Sequence, residues 1–241
     1  MRKVVIIGAS SGLGREVAKL LLADGCSLGV AARRTQPLEE LKALAPDRVE
    51  VQAIDVLSDN APQQLEQLIE KVGGMDLFFY AAGVGKQNME LEPEIELNTV
   101  NTNGMGFTRM IGAAYRYMAQ NGGGHIAAIS SIAGTKGLGA APSYSATKAM
   151  QNAYIQSLEQ QANMRGLNIH FTDLRPGFVA TPLLGDNPHY PMLLKTEKVA
   201  QEMVRAIKSR KHVWVIDWRW RIITAMWRRI PRFLWRRLKV K

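Results

Sequence analysis

The stretch Val4-Val5-Ile6-Ile7-Gly8-Ala9-Ser10-Ser11-Gly12-Leu13-Gly14 decides the fold. Its apolar opening reads as a buried strand, and from Gly14 to Ala23 the residues Val17, Leu20 and Leu21 fall on one helical face. A glycine-rich turn between a strand and a helix lets a pyrophosphate approach backbone N–H groups at the positive end of the helix. The same glycines also suit an ordinary tight turn. Their place near the chain start, with strand before and helix after, points instead to dinucleotide binding by Gly8, Ser10, Ser11, Gly12, Leu13 and Gly14.

Outward from this loop, apolar runs recur at Leu28–Ala32, Val49–Ile54, Leu77–Tyr80, Ile126–Ile129, Ile169–Leu174 and Val213–Ile216. Helical stretches alternate with them: Pro62–Val72 opens with proline in its first turn, and Thr196–Lys208 opens on a threonine expected to cap it. The expected architecture is α/β, one doubly wound Rossmann domain with a mostly parallel sheet flanked by helices. We place that domain at residues 1–216 and a basic amphipathic tail at 217–241. No repeat or low-complexity linker divides the chain.

The 241 residues carry a net charge of +10 and are 46% hydrophobic, enough for a full core. The charge is uneven. From Arg205 onward there are 13 Lys/Arg against one acid, Asp217, giving +12, so residues 1–204 carry −2. Cys26 is the single cysteine, which excludes an intrachain disulfide, and His125, His170, His189 and His212 show no metal-ligand spacing. The apolar run after Met1-Arg2-Lys3 is too short for a signal-peptide core, and no uncharged stretch is long enough to span a bilayer. The expected setting is the cytoplasm, with no metal.

Nineteen positions after Gly14, where an acidic residue would hold the adenosine ribose of NAD, the second strand ends Ala31-Ala32-Arg33-Arg34. Two guanidiniums and no carboxylate favour the extra phosphate of NADP(H). Solvated loop arginines are the plainer alternative.

Ser143-Tyr144-Ser145-Ala146-Thr147-Lys148 holds a further clue. A spacing of four on a helix sets phenol and ammonium on one face, where the cation would lower the phenol pKa and make tyrosine usable as an acid near neutral pH.

Taken together, residues 3–216 resemble the short-chain dehydrogenase/reductase family. The resemblance implies a catalytic set of Asn101 (in Asn101-Thr-Asn-Gly104), Ser131, Tyr144 and Lys148. Tyr144 would exchange a proton with the substrate oxygen, and Lys148 would lower its pKa and hold the nicotinamide ribose. Ser131, 13 positions before Tyr144, would bond the substrate carbonyl, and Asn101 would hold a relay water. The resemblance also implies cofactor contacts at Asp55, Val56, Ala81, Gly83, Pro176, Gly177, Val179 and Thr181, though Asp, Gly and Pro often end strands without binding anything. The chain departs from the family pattern at Ala81-Ala82-Gly83, where asparagine is usual, and at Ile7 in place of threonine. Leu183–Leu194, with Leu184, Tyr190, Pro191, Met192 and Leu193, falls where the family carries a substrate lid, and its apolar residues suit a lipophilic substrate.

In the tail, Met226, Trp227, Ile230, Phe233, Leu234 and Leu238 follow helical spacing among Arg228, Arg229, Arg232, Arg236 and Arg237, and Pro231 should split the segment in two. Peripheral contact with an anionic membrane on its inner face, a cover for the body or a dimer contact, and nucleic-acid binding compete; the last is not expected. The reading as a whole is an NADP-dependent oxidoreductase interconverting a carbonyl and a secondary alcohol on a small lipophilic substrate, with a homodimer or homotetramer implied by the resemblance. The alternative is a non-catalytic NADP-binding or membrane-associated scaffold of the same fold.

Overall fold

A computed structural model describes residues 2–184 and 190–240. Seven parallel strands form one sheet: β1 (Lys3–Ile7), β2 (Ser27–Ala32), β3 (Val49–Ala53), β4 (Leu77–Tyr80), β5 (Gly124–Ile129), β6 (Ile169–Arg175) and β7 (Val213–Val215). Their order is β3-β2-β1-β4-β5-β6-β7, so the winding reverses between β1 and β4. A crevice opens beyond the strand carboxyl ends at such a reversal, because the loops after the two strands run to opposite faces.

Both faces of the sheet are covered, which is why its strands are continuously apolar. One face holds α1 (Gly12–Ala23), α2 (Gln36–Leu44) and α7 (Thr196–Lys208), packed on Val4, Ile6, Leu28 and Phe79. The other holds α3 (Ala61–Val72), α5 (Phe107–Gln120) and α6 (Pro142–Met164), packed on Val5, Ile7, Phe78, Tyr80 and Phe171. Between α4 (Pro93–Val100) and α5 runs a π-helical turn, Asn101–Gly106. The tail forms α8 (Trp218–Arg229) and α9 (Arg232–Trp235), parted at Pro231, which lacks the N–H needed to continue a helix.

Two local expectations are corrected. Thr196 does not cap α7: Lys195 holds the cap position, and the Thr196 hydroxyl donates instead to Ala180 O at 2.5 Å. β6 runs past its last apolar residue to Arg175, whose charge is neutralised in place by Asp173 two residues earlier on the same side of the strand.

That pair is 8% and 1% exposed. Arg175 Nε donates to Asp173 Oδ2 at 2.7 Å, and Ser130, at the end of β5, donates its hydroxyl to the other carboxylate oxygen. Asn152 of α6, with its amide nitrogen turned inward, donates to Ser130 Oγ and Asp173 Oδ2 at 2.8 and 3.2 Å. The network ties β5, β6 and α6 together under the crevice. At the other end of the sheet, away from the crevice, the rings of His125, His170 and His212 follow in file with centroids 4.8 Å apart at each step, the first pair edge-on and the second tilted. His189 lies outside the described residues.

Removing one partner of a buried ion pair leaves the other charge uncompensated. Asp173→Asn is therefore expected to lower the unfolding free energy by ~3–5 kcal/mol in urea denaturation. A single substitution that unfolds like the parent would show that the pair contributes nothing.

Candidate active site

The glycine loop leaves β1 and enters α1 at Gly12. Ser11 stands at the cap position without using its side chain to cap, and no acidic residue occupies the first turn. The orphan N–H groups of that turn are thus left for an anion. Gly14 keeps the turn tight: a Cβ there would come within 2.2 Å of Gly8 O. This is the cradle that a pyrophosphate requires.

A cavity of about 980 Å³ begins at this loop and runs along the strand ends. Gly8, Ser10, Ser11, Gly12, Leu13 and Gly14 line one part of it, as do Arg33 and Arg34 at the end of β2. Both arginines are exposed, and neither is ion-paired among the described residues. Asp55 and Val56 follow β3 along the same wall, with Ala81 and Gly83 after β4 and Pro176, Gly177, Val179 and Thr181 after β6. The Ala81 departure leaves the backbone link intact, since Ala81 N donates to Ile7 O at 2.8 Å.

Ser131, Tyr144 and Lys148 meet deeper in the cavity. Ser131 follows β5 and holds a 3₁₀ turn, Ile132–Thr135, by accepting the Ala133 N–H at 3.0 Å. Tyr144 and Lys148 stand in the first two turns of α6, opened by Pro142. Burial pushes the Tyr144 phenol above its ordinary value, and the hydrogen bond with Ser131 draws it partly back. The expected lowering by Lys148 is not what the geometry supplies: its Nζ lies 5.7 Å from the ring centroid, donating to Ile129 O at 3.1 Å and Gln151 Oε1 at 3.0 Å. Burial lowers the ammonium to about 8, with Asp173 opposing that shift. The phenol therefore stays protonated near neutral pH.

Asn101 does not join this group. It ends α4 on the surface, outside the cavity lining. The π-helical turn swings Asn103 inward instead, where it is fully buried: its Nδ2 donates to Val84 O at 2.7 Å and its Oδ1 accepts from Val84 N at 2.9 Å. Asn103-Gly-Met-Gly106 repeats the Asn-x-x-Gly spacing two residues on, so spacing alone could not choose, while an unseen helical bulge could.

Gln151 was absent from the sequence expectations. Fully buried one turn after Lys148, it accepts from that ammonium and donates its Nε2 to Asn103 O at 2.8 Å. One amide therefore spans the gap between the lysine and the asparagine carbonyl. Its spacing of three from Lys148 was the available cue.

The tail also reaches the site. Trp220, Trp227 and Val240 line the cavity with Leu183, Leu184, Tyr190 and Pro191 of the apolar segment, whose residues 185–189 lie outside the described residues. Phe178 stacks on Tyr190 at 4.7 Å and meets Trp220 edge-on at 5.8 Å, and Trp220 in turn meets Trp227 at 6.3 Å. Trp220 sits where Gly177 has no side chain: a Cβ there would stand 2.2 Å from the indole Nε1. That buried N–H has no partner among the described residues.

Comparison with known proteins agrees with this geometry. The chain is 31% identical over 238 residues to an uncharacterised oxidoreductase of Myxococcus xanthus, covering 95% of this chain and 93% of that protein. An alcohol dehydrogenase from the archaeon Thermococcus sibiricus, solved with 5-hydroxy-NADP, superposes with a TM-score of 0.78 at 25% identity over 90% of this chain and 96% of that one. A 3-ketoacyl-(acyl-carrier-protein) reductase from Brucella melitensis, solved with NADH, shares the fold with a TM-score of 0.79 at 22% identity, over 90% and 96% of the two chains. The family model for short chain dehydrogenases matches residues 2–190, from the glycine loop through the tyrosine and lysine of α6, and the chain belongs to that family.

Proposed function

We propose that this protein is an NADP(H)-dependent oxidoreductase that interconverts a carbonyl and a secondary alcohol. The observation that carries the reading is one continuous cavity with an open helix N-terminus and the two exposed guanidiniums of Arg33 and Arg34 at one end and Ser131, Tyr144 and Lys148 at the other. A nicotinamide cofactor, present as 5-hydroxy-NADP in the Thermococcus sibiricus protein and as NADH in the Brucella melitensis one, would supply or accept the hydride. Arg33 and Arg34 would grip the extra phosphate of NADP(H), since a fork of donors meets phosphate oxygens in two bonds.

Around the reacting carbon, this chain's residues handle the proton. Ser131 Oγ orients the carbonyl oxygen, and Tyr144 gives that oxygen a proton as the carbon gains hydride, or takes it back in the reverse direction. Lys148 would hold the nicotinamide ribose, and Gln151 positions it, accepting from the ammonium while its own amide donates to the Asn103 carbonyl. The apolar wall of Leu184, Tyr190, Pro191, Trp220 and Trp227 favours a lipophilic substrate. Exposed Leu97 and Val100 on α4, beside Met105 and Met150, support assembly into a homodimer or homotetramer through that face.

Tyr144→Phe removes the transferable proton and little else. NADPH consumption on a panel of aldehydes and ketones is expected to fall by ~10²–10⁴-fold with cofactor affinity within a few fold of the parent; near-parental turnover would sink the assignment. Replacing Arg33 and Arg34 together with alanine is expected to weaken NADPH binding by roughly ten- to a hundredfold and to spare NADH, read by titration of cofactor fluorescence. Equal losses for both cofactors would assign the arginines no part in reading the phosphate.

The lysine sets a pH limb. Its ammonium is charged below a pKa of about 8 and neutral above it, so carbonyl reduction should decline as pH rises through that value. Gln151→Leu withdraws an acceptor from the charged form and should move the limb to lower pH. A limb that stays in place would mean that Gln151 only fills space.

A further inference from the structure

Helix α8 has two working faces. Trp220, Thr224 and Trp227, at spacings of four and three, turn inward against the body, and both tryptophans form cavity wall. Trp218, Ile222 and Met226, at spacings of four, turn outward and are 65%, 52% and 62% exposed. Past Pro231 the outward series continues with Phe233, Leu234 and Leu238, all exposed. Arg228, Arg229, Arg232, Arg236, Arg237 and Lys239 surround it, exposed and without an ion pair among the described residues; the tail's two ion pairs belong to Arg219 and Arg221.

The body does not cover this outer face, because the tail is already seated. Lys136 Nζ donates to Ile230 O at 2.9 Å, Trp235 Nε1 donates to Gly137 O at 2.8 Å, and Trp220 is buried beside Gly177. A protein partner would have to bury several guanidiniums that have no ion pair among the described residues together with the apolar side chains, and would have to match each with a carboxylate, because a charge buried without a partner is costly. Nucleic acid would leave the apolar series in water. An anionic bilayer satisfies both halves at once: Trp, Phe, Leu, Ile and Met enter the acyl boundary while the arginines stay among the headgroups.

We propose that the outer face of α8 and the segment beyond it dock the protein on an anionic lipid surface, and that the cavity beneath the tail receives a carbonyl or alcohol carried in that lipid. The docking stands on the tail alone, while the substrate class rests on the reaction proposed above. No helix among the described residues is long and apolar enough to cross a membrane, so the contact is peripheral. The inner tryptophans of α8 wall the site while its outer residues lie in the interface, so a lipid-borne chain passes from the bilayer into the cavity under one helix.

The test uses the full chain with vesicles of phosphatidylcholine alone and of phosphatidylcholine with phosphatidylglycerol. Cosedimentation is expected only with the anionic vesicles, with roughly a fivefold gain per engaged cation, and should fade as salt rises. Replacing Ile222, Met226 and Leu234 together with glutamine should weaken partition by at least roughly tenfold while leaving oligomeric mass, NADPH binding and turnover of a short water-soluble ketone unchanged. Turnover of a long-chain methyl ketone dissolved in the anionic vesicles should fall in parallel. Quenching of tryptophan fluorescence by brominated phospholipid in the unmodified protein reads insertion without any variant. An intact protein that ignores anionic vesicles and shows no quenching overturns the docking, as does a triple variant whose oligomeric mass drops, which would assign the face to a second copy. Vesicle binding that survives while neither ketone is reduced leaves the docking standing and overturns the substrate and the reaction instead.

Discussion

A lysine ammonium buried against a tyrosine is the constraint on which the site depends. Taking that charge out of water is costly and lowers the ammonium, the Asp173 carboxylate opposes that shift, and Ile129 O and Gln151 Oε1 accept its hydrogen bonds. Each of these groups is placed by a different element. Ile129 comes from the end of β5, Asp173 from β6 and Gln151 from the next turn of α6, so the sheet and its longest helix must be assembled before the ammonium has its partners.

The same economy of placement explains the rest of the crevice. Parallel strands deliver their carboxyl ends to one edge, and the reversal between β1 and β4 leaves room there for a long ligand. The glycine loop, the arginine pair and the group of Ser131, Tyr144 and Lys148 come from separate parts of the chain but line one cavity along that edge. Behind them the Ser130, Asn152, Asp173 and Arg175 network fills with paired charge a space that an apolar core would leave without direction.

The tail adds a wall that the doubly wound body does not make for itself. Aromatic rings from Tyr190 through Phe178 and Trp220 to Trp227 and Trp235 run in a continuous file from the apolar segment after β6 to the last helix. Site shape and tail position are therefore one problem in packing, and the glycine at position 177 is the point at which they meet.

Local chemistry was enough to determine the strands, the glycine loop, the arginine pair and the helical juxtaposition of Tyr144 with Lys148, because each is a pattern of neighbours a few residues apart. The choice between Asn101 and Asn103 needed the tertiary structure, since both satisfy the same spacing and only a π-helical turn, adding width to the helix, decides which side chain is buried. Gln151 and the Asp173–Arg175 pair were out of reach for a related reason: a polar residue is read as exposed until its partners arrive from other strands and helices. The two faces of α8 could be read from sequence as amphipathic, yet which face seats on the body depended on Trp220 finding the hollow at Gly177, more than forty positions away in the chain.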